Sequence, residues 1–167
     1  MADTDNYLHP YSAREIRGIV LHSTEGPLTA ATSWFQNPAS GVSAHYGIGK
    51  VGSIVQWVED RDIAFHVRGD LGMYPDWIKF GPNLYNVSMP NAQTLGIELE
   101  LLATDPDGAY TDAQLDALRW LLAKLMAQYG IPAERVIRHA DIQADRHDPR
   151  GLDLASVFAV ITFPVTL

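Results

Sequence analysis

The chain has 167 residues, an apolar fraction of 47% and a formal net charge of −8, values typical of an ordinary globular protein rather than a disordered or fibrous one. The acidic excess argues against broad electrostatic binding to nucleic acid or to anionic membranes. The sequence contains no cysteine, which excludes disulfides, thiolate metal sites and cysteine nucleophiles, so His, Asp or Glu must hold any metal.

The N-terminal residues 1–6 lack the basic and apolar regions of a signal peptide. No apolar run approaches the roughly 18 residues that span a bilayer. We therefore expect a protein that is cytoplasmic as synthesised and is not inserted into a membrane. Without repeats or linkers, the sequence predicts a single domain over residues 1–167. The oligomeric state is open, with a monomer favoured.

In the first half of the chain, an apolar run over residues 16–22 predicts a buried strand. His22 ends this run, at a position where side chains can face a cleft. A short helix is predicted over Leu28–Phe35. Residues 43–48 and 54–58 predict a strand pair joined by a glycine-containing turn.

Residues 68–90 are rich in Gly, Pro, Asn and aromatic residues and predict a long surface loop, a kind of segment that is often functional. Residues 94–101 predict another strand, with alternating faces. Leucine and isoleucine residues share one face of this strand, and the other carries Gly96, Glu98 and Glu100.

The clearest predicted element is a helix over Asp112–Tyr129. Thr111 and Gln114 form a capping-box pattern before it, and Gly130 is placed to end it. Its core-facing stripe is Leu115, Leu118, Leu122, Leu125, Met126 and Tyr129. A strand at 135–139 and a helix at 153–161 complete an α/β fold with a central mixed sheet flanked by helices.

Five of the six histidines lie at the ends of predicted strands or in adjacent loops: His22, His45, His66, His139 and His147. A loop returning from His139 to Asp148 could bring an imidazole and a carboxylate to one point, with His22 as a third ligand. Three protein ligands and one water are typical of catalytic zinc. An equally good interpretation of the residues alone makes this loop a solvated segment with local ion pairs.

Several short motifs together resemble, in order, the zinc-dependent N-acetylmuramoyl-L-alanine amidase family, which shares its fold with peptidoglycan recognition proteins and phage amidase-type lysozymes. The resemblance covers residues 16–161. The matching segments are 19–24 (IVLHST), 43–46 (SAHY) with 52–56 (GSIVQ), 64–66 (AFH), 95–100 (LGIELE), 139–142 (HADI) and 147–149 (HDP).

The resemblance implies that one zinc ion is held by His22, His139 and Asp148, with water at the fourth position. It also implies that Glu98 acts as the general base. Two residues could be confused with these: His147 stands beside Asp148, and Glu100 shares the strand face of Glu98.

The chain departs from the family pattern at Arg146, which stands where the family usually has a lysine that steadies the oxyanion. The loop from His139 to Asp148 is also one residue shorter than the common form. By the same resemblance His66 lies near the cleft and could meet substrate, and His45 could bind substrate or support the site from behind. The aromatic residues of the 68–90 loop, Tyr74, Trp77 and Tyr85, are candidates for contacts with a sugar or stem peptide.

The implied activity is hydrolysis of the amide between N-acetylmuramic acid and L-alanine, in peptidoglycan or a muropeptide. We expect a phage or prophage endolysin that acts on the cell wall. The alternatives are a cytosolic muropeptide-recycling amidase and a non-catalytic peptidoglycan-binding module. A glycosidase using Glu98 and Glu100 is disfavoured, because carboxylates two residues apart on one strand face are poorly placed to straddle a sugar bond.

Overall fold

The computed structural model describes residues 1–68, 74–78 and 89–161. Its main sheet has five strands, in the spatial order β4-β3-β6-β2-β7. These strands are β2 (Gly18–Ser23), β3 (Tyr46–Ile48), β4 (Ile54–Gln56), β6 (Thr94–Leu99) and β7 (Val136–Arg138). Only the β3–β4 pair is antiparallel, so the sheet is mixed, as predicted. The short strands β1 (Tyr7–Leu8) and β5 (Ile63–Ala64) form a separate antiparallel pair that the sequence did not predict.

Five α-helices accompany the sheet in the described part of the chain. They are α1 (Leu28–Phe35), α2 (Met89–Gln93), α3 (Asp112–Tyr129), α4 (His139–Ile142) and α5 (Leu154–Phe158). The predicted fold class, an α/β fold with a central mixed sheet and flanking helices, is confirmed. No described helix combines the length and the apolar character needed to cross a membrane.

The main hydrophobic core lies between α3 and one face of the sheet. Ile19 and Leu21 of β2 and Ile97 of β6 are fully buried against it. From α3, the buried residues of the same core are Leu118, Leu121, Leu122, Leu125 and Met126. Because side chains alternate along a strand, the polar residues between these apolar ones face the other side of the sheet.

Helix α3 has the predicted bounds, but its start differs from the predicted capping box. The Thr111 hydroxyl accepts a hydrogen bond from the backbone N–H of Gln114 at 3.1 Å, as the pattern requires. The side chain of Gln114 is instead fully buried and donates to the carbonyl oxygens of Ile48 and Glu100. Gln114 therefore links the helix to the sheet, and Gly130 ends the helix with φ of 64°.

Other predicted elements are shorter than expected. The final helix covers five residues rather than 153–161, and the strand pair covers Tyr46–Ile48 and Ile54–Gln56. The predicted loop at 68–90 ends earlier, because Pro90 already belongs to α2. Residues 69–73 and 79–88 of that loop, including Tyr85, lie outside the described residues. Trp77 packs against the backbone at Gly18, and the guanidinium of Arg135 lies 5.8 Å from its ring.

Gly47 in β3 leaves room for Trp57, a fully buried side chain of a second hydrophobic cluster. A Cβ atom at position 47 would lie 2.2 Å from the Trp57 ring and 2.7 Å from Leu28. The close approach of α1 to the sheet therefore depends on a glycine at this position.

We expect Gly47→Ala to destabilise the protein by about 1–3 kcal/mol, since the added methyl group would displace a fully buried ring. Gly26→Ala is the matched control, because its new methyl group would meet only Ala30 at 3.9 Å. Urea denaturation followed by tryptophan fluorescence measures both variants. Equal midpoints for the two variants would contradict the packing argument.

Candidate metal centre

One cavity of about 350 Å³ opens on the face of the sheet opposite α3. Its lining includes all five residues that the resemblance assigns to metal binding or catalysis: His22, Glu98, His139, Arg146 and Asp148. His66 also lines it. The structure therefore brings together residues that are as much as 126 positions apart in the sequence, counted from His22 to Asp148.

Three side chains converge at the floor of this cavity. Nδ1 of His22 lies 3.0 Å from Nδ1 of His139, and Oδ2 of Asp148 lies 3.3 Å from the first nitrogen and 3.1 Å from the second. Both imidazoles are buried, with exposures of 3% and 5%. These three residues form the only group in the described chain whose ligand atoms are close enough to share a metal ion.

The backbone explains how these residues meet. His22 lies near the end of β2, and His139 is the first residue of α4, directly after β7, which pairs in parallel with β2. Parallel strands end at the same edge of a sheet, so the two imidazoles become neighbours. The loop that follows returns to this edge, where the Ala140 N–H donates to the carbonyl oxygen of Asp148 at 2.9 Å.

A chain of hydrogen bonds determines which nitrogen of His22 carries the proton. The Thr94 hydroxyl donates to the carbonyl oxygen of Pro90 at 2.6 Å, so it can only accept from Nε2 of His66, 3.3 Å away. Burial lowers the pKa of His66 well below its usual value and also lowers that of His22, which favours the neutral form of both rings. Nδ1 of His66 is then unprotonated and accepts from Nε2 of His22 at 3.1 Å.

It follows that Nδ1 of His22 carries a lone pair and points at Asp148. A carboxylate and a bare imidazole nitrogen only 3.3 Å apart repel each other unless a cation lies between them.

The donor set fits zinc. Zinc in proteins binds imidazole nitrogen and carboxylate oxygen at about 2.0–2.2 Å in tetrahedral geometry, which places neighbouring ligand atoms about 3.3–3.6 Å apart. The three observed separations, 3.0, 3.1 and 3.3 Å, lie within a few tenths of an ångström of that range. Two histidines and one carboxylate would leave a fourth zinc position for water or substrate.

His147, the alternative to Asp148 in the sequence, is exposed and lies outside the three-residue group. The peptide bond between Asp148 and Pro149 is cis. Of the two neighbours, only the aspartate is placed to act as the third ligand.

Glu98 lies beside this group because β2 and β6 pair in register, with His22 opposite Glu98. The pKa of Glu98 is raised to about 8 by burial, and also by the negative charges of Asp148 and Glu25. A cation beside Asp148 would oppose this shift. Glu100, the predicted alternative, lies past the end of the strand and accepts a hydrogen bond from the Lys50 backbone N–H at 3.0 Å. It does not line the cavity.

Arg146 lines the cavity from the loop before Asp148, with an exposed side chain. Its backbone N–H donates to the carbonyl oxygen of Gln143 at 3.0 Å, which holds the loop in a turn. Its guanidinium forms no ion pair with any residue that the structure describes. The charge is therefore free to meet an anionic group in the cavity.

His45 was predicted to bind substrate or to support the site, and the structure places it behind the cavity rather than in its lining. Its side chain is 0% exposed and does not line the cavity. Its Nδ1 accepts from the Gly96 N–H at 3.0 Å, and its ring lies 5.8 Å from that of His66. Burial, followed by the nearby Arg14 charge, lowers the pKa of His45 well below its usual value. His66 is partly exposed, and substrate contact by its ring stays a prediction.

The residues at the site that the sequence did not predict include Thr94 and Gln143. Thr94 ends the hydrogen-bond chain behind His22, and nothing in its local sequence distinguishes it from other strand threonines. Gln143 contacts His139 four positions earlier in the chain. That spacing places two side chains on one side of a helical turn, so it was a usable signal.

Comparison with known proteins gives a consistent result. The sequence pattern of a family described as N-acetylmuramoyl-L-alanine amidase matches residues 12–151. The chain is 29% identical over 131 residues to N-acetylmuramoyl-L-alanine amidase A of Achromobacter lyticus, and 25% identical over 134 residues to a probable N-acetylmuramoyl-L-alanine amidase of Bacillus licheniformis. These matches cover 78% and 76% of this chain, but only 61% and 34% of the two relatives.

Solved structures show the same fold. A selenomethionine derivative of AmpD superposes with a TM-score of 0.69 at 25% identity, over 94% of this chain and 90% of AmpD. AmpDH3 of Pseudomonas aeruginosa, in complex with an anhydromuramic pentapeptide, superposes with a TM-score of 0.70 at 24% identity. That match covers 95% of this chain and 65% of AmpDH3. A mutant endolysin from Bacillus subtilis has a TM-score of 0.62 at 20% identity, with coverages of 93% and 96%.

The metal centre predicts that substitutions of the neighbouring residues Asp148 and His147 have different effects on zinc affinity. Asp148→Ala removes a ligand atom and should weaken zinc binding by more than about 100-fold, because even residues that only support a ligand contribute about 10–100-fold. His147→Ala should bind zinc like the wild type. Zinc affinity is measured by competition with a chromogenic chelator, and metal content by mass spectrometry. The opposite order of affinities would make His147 the ligand.

Proposed function

This chain belongs to the N-acetylmuramoyl-L-alanine amidase family, and we propose that it hydrolyses the amide bond between N-acetylmuramic acid and L-alanine in peptidoglycan. One observation carries the proposal: a carboxyl group with a raised pKa, Glu98, shares a cavity with three convergent ligand atoms. A site of this composition suits metal-assisted hydrolysis.

We assign His22, His139 and Asp148 as the residues that would hold one zinc ion. When bound, zinc polarises a water molecule and the carbonyl group of the scissile amide. The three side chains supply two imidazole nitrogens and one carboxylate oxygen, so a bound zinc ion would leave a net positive charge at the site. Their burial on the sheet side keeps the cluster open only towards the cavity.

Glu98 is assigned as the general base. Its carboxylate takes a proton from the attacking water as the new C–O bond forms, and it then passes that proton to the leaving nitrogen of L-alanine as the C–N bond breaks. A group that accepts and then donates a proton works best when its pKa lies near the operating pH. Burial moves the pKa of Glu98 in that direction.

Arg146 is assigned to the oxyanion that develops on the carbonyl oxygen. Its guanidinium lines the cavity and has no competing carboxylate among the described residues. A fixed positive charge near developing negative charge lowers the barrier. The planar donor fork of arginine differs from the single ammonium group of the family's lysine, so the two residues would approach the oxygen differently.

Glu98→Gln should lower the rate of peptidoglycan hydrolysis by about 10²–10⁴-fold, the usual contribution of general acid–base catalysis. Glu100→Gln is the matched control and should keep a rate close to that of the wild type, because Glu100 does not line the cavity. The assay digests purified peptidoglycan with and without a chelator and measures newly formed L-alanine amino termini.

Each alternative function has its own result in this assay. New reducing sugars instead of amino termini would indicate a glycosidase. Binding to peptidoglycan without any product would indicate a non-catalytic binding module. If amino termini form equally well in the presence of the chelator, the reaction does not need a metal.

We further propose that the protein acts as a phage or prophage endolysin, with muropeptide recycling as the alternative. Endolysin and AmpD-type proteins both share this fold. The fold therefore does not distinguish the endolysin role from the recycling role, but the preferred substrate does. We expect faster cleavage of intact cell-wall sacculi than of soluble anhydromuramyl peptides at equal concentrations of stem peptide, measured as released amino termini. Cleavage confined to the soluble peptides would establish the recycling role instead.

A further inference from the structure

Gln143 is a buried polar residue directly behind the candidate metal ligand His139. Its side chain is 1% exposed. Its Oε1 atom contacts Nε2 of His139, on the side of the ring opposite the cluster, and also accepts from the backbone N–H of Arg68 at 3.4 Å. Its own Nε2 atom is buried and has no hydrogen-bond partner among the described residues.

The backbone holds Gln143 in this position. It follows the single turn of α4, and its N–H donates to the carbonyl oxygen of His139 at 3.0 Å. Residues four apart on such a turn have adjacent side chains. The Arg68 N–H cannot change its role, because a backbone amide only donates. If the amide group of Gln143 were reversed, its NH₂ would face that donor.

The orientation of this amide decides where His139 carries its proton. A carbonyl oxygen only accepts, so Nε2 of His139 must donate to it. A neutral imidazole has a single proton, and Nδ1 is then left with its lone pair. Nδ1 is the atom that faces His22 and Asp148.

A strong competitor for this proton lies on the other side of the ring. Oδ2 of Asp148 is 3.1 Å from Nδ1, and a carboxylate is a stronger acceptor than an amide oxygen. Without Gln143, a proton on Nδ1 would bond to Asp148 and occupy the lone pair that a metal needs. It would leave Nε2 without a partner beside an apolar replacement, and the hydrogen bond to the ionised carboxylate would offset that loss.

We propose that Gln143 is a positioning residue that holds the proton of His139 on Nε2 and so keeps Nδ1 available to bind zinc. The inference rests on the proposed metal centre. It adds a second hydrogen-bond chain to the one behind His22. A backbone group then orients each histidine ligand, through His66 and Thr94 for His22 and through Gln143 for His139.

The test uses two variants of Gln143 and one control in the full chain. Gln143→Leu removes the acceptor at similar size, Gln143→Glu keeps an acceptor oxygen, and Gln128→Leu makes the same change at an exposed position. We expect zinc affinity, measured by chelator competition, to fall about 10–100-fold in Gln143→Leu. Gln143→Glu and Gln128→Leu should stay close to the wild type.

A second measurement reports the proton itself and needs no metal. Nitrogen-15 NMR of histidine-labelled, zinc-free protein shows which ring nitrogen carries the proton. The measurement is made at about pH 8, where exposed histidines are neutral. We expect the proton of His139 on Nε2 in the wild type and in Gln143→Glu, and on Nδ1 in Gln143→Leu.

The two measurements separate this inference from the proposed metal centre. A wild-type protein with its His139 proton on Nδ1, or a Gln143→Leu variant with unchanged tautomer and unchanged zinc affinity, would overturn the role of Gln143. A wild type that binds no zinc but shows the expected tautomers would overturn the metal centre and leave the role of Gln143 intact. If Gln143→Leu does not fold, the tautomers of the wild type and Gln143→Glu still decide the question.

Discussion

The parallel pairing of β2 with both β6 and β7 is the constraint on which the site depends. Pairing with β6 sets His22 opposite Glu98, and pairing with β7 brings His139 to the same sheet edge. A shift of register by one residue would turn His22 towards α3 and expose Leu21 to the cavity. The apolar contacts that stabilise the fold therefore also determine which side chains face the substrate.

Placing histidines in a buried layer creates a second requirement, because each ring nitrogen needs a partner. Behind His22 the protein supplies His66 and Thr94, and the series ends on a backbone carbonyl oxygen. Gly96 makes this arrangement possible, since a Cβ there would lie 2.6 Å from the His66 ring. Because Gly96 has no side chain, the imidazole of His66 fits against β6 and can orient the imidazole of His22.

The charges of the cavity are also unevenly arranged. Its floor combines two imidazoles with a carboxyl group, and its wall carries Glu98 and Glu25. Arg146 lies at the exposed rim of the same cavity. Burial near other negative charges keeps Glu98 able to bind a proton, whereas Asp148 lies against the ring nitrogens of two histidines. The two carboxyl groups therefore differ in chemistry because of their surroundings alone.

The sequence by itself determined the fold class, the bounds of α1 and α3, and six residues that line the cavity, because periodicity, helix caps and ordered motifs are local signals. It left open the choices between Asp148 and His147 and between Glu98 and Glu100. Only the tertiary structure distinguished these pairs, since each depends on where a loop returns or a strand ends. It also revealed Thr94 and Gln143, whose roles come from hydrogen bonds to partners in space. Hydrogen bonds of this kind do not produce a periodic pattern in the sequence.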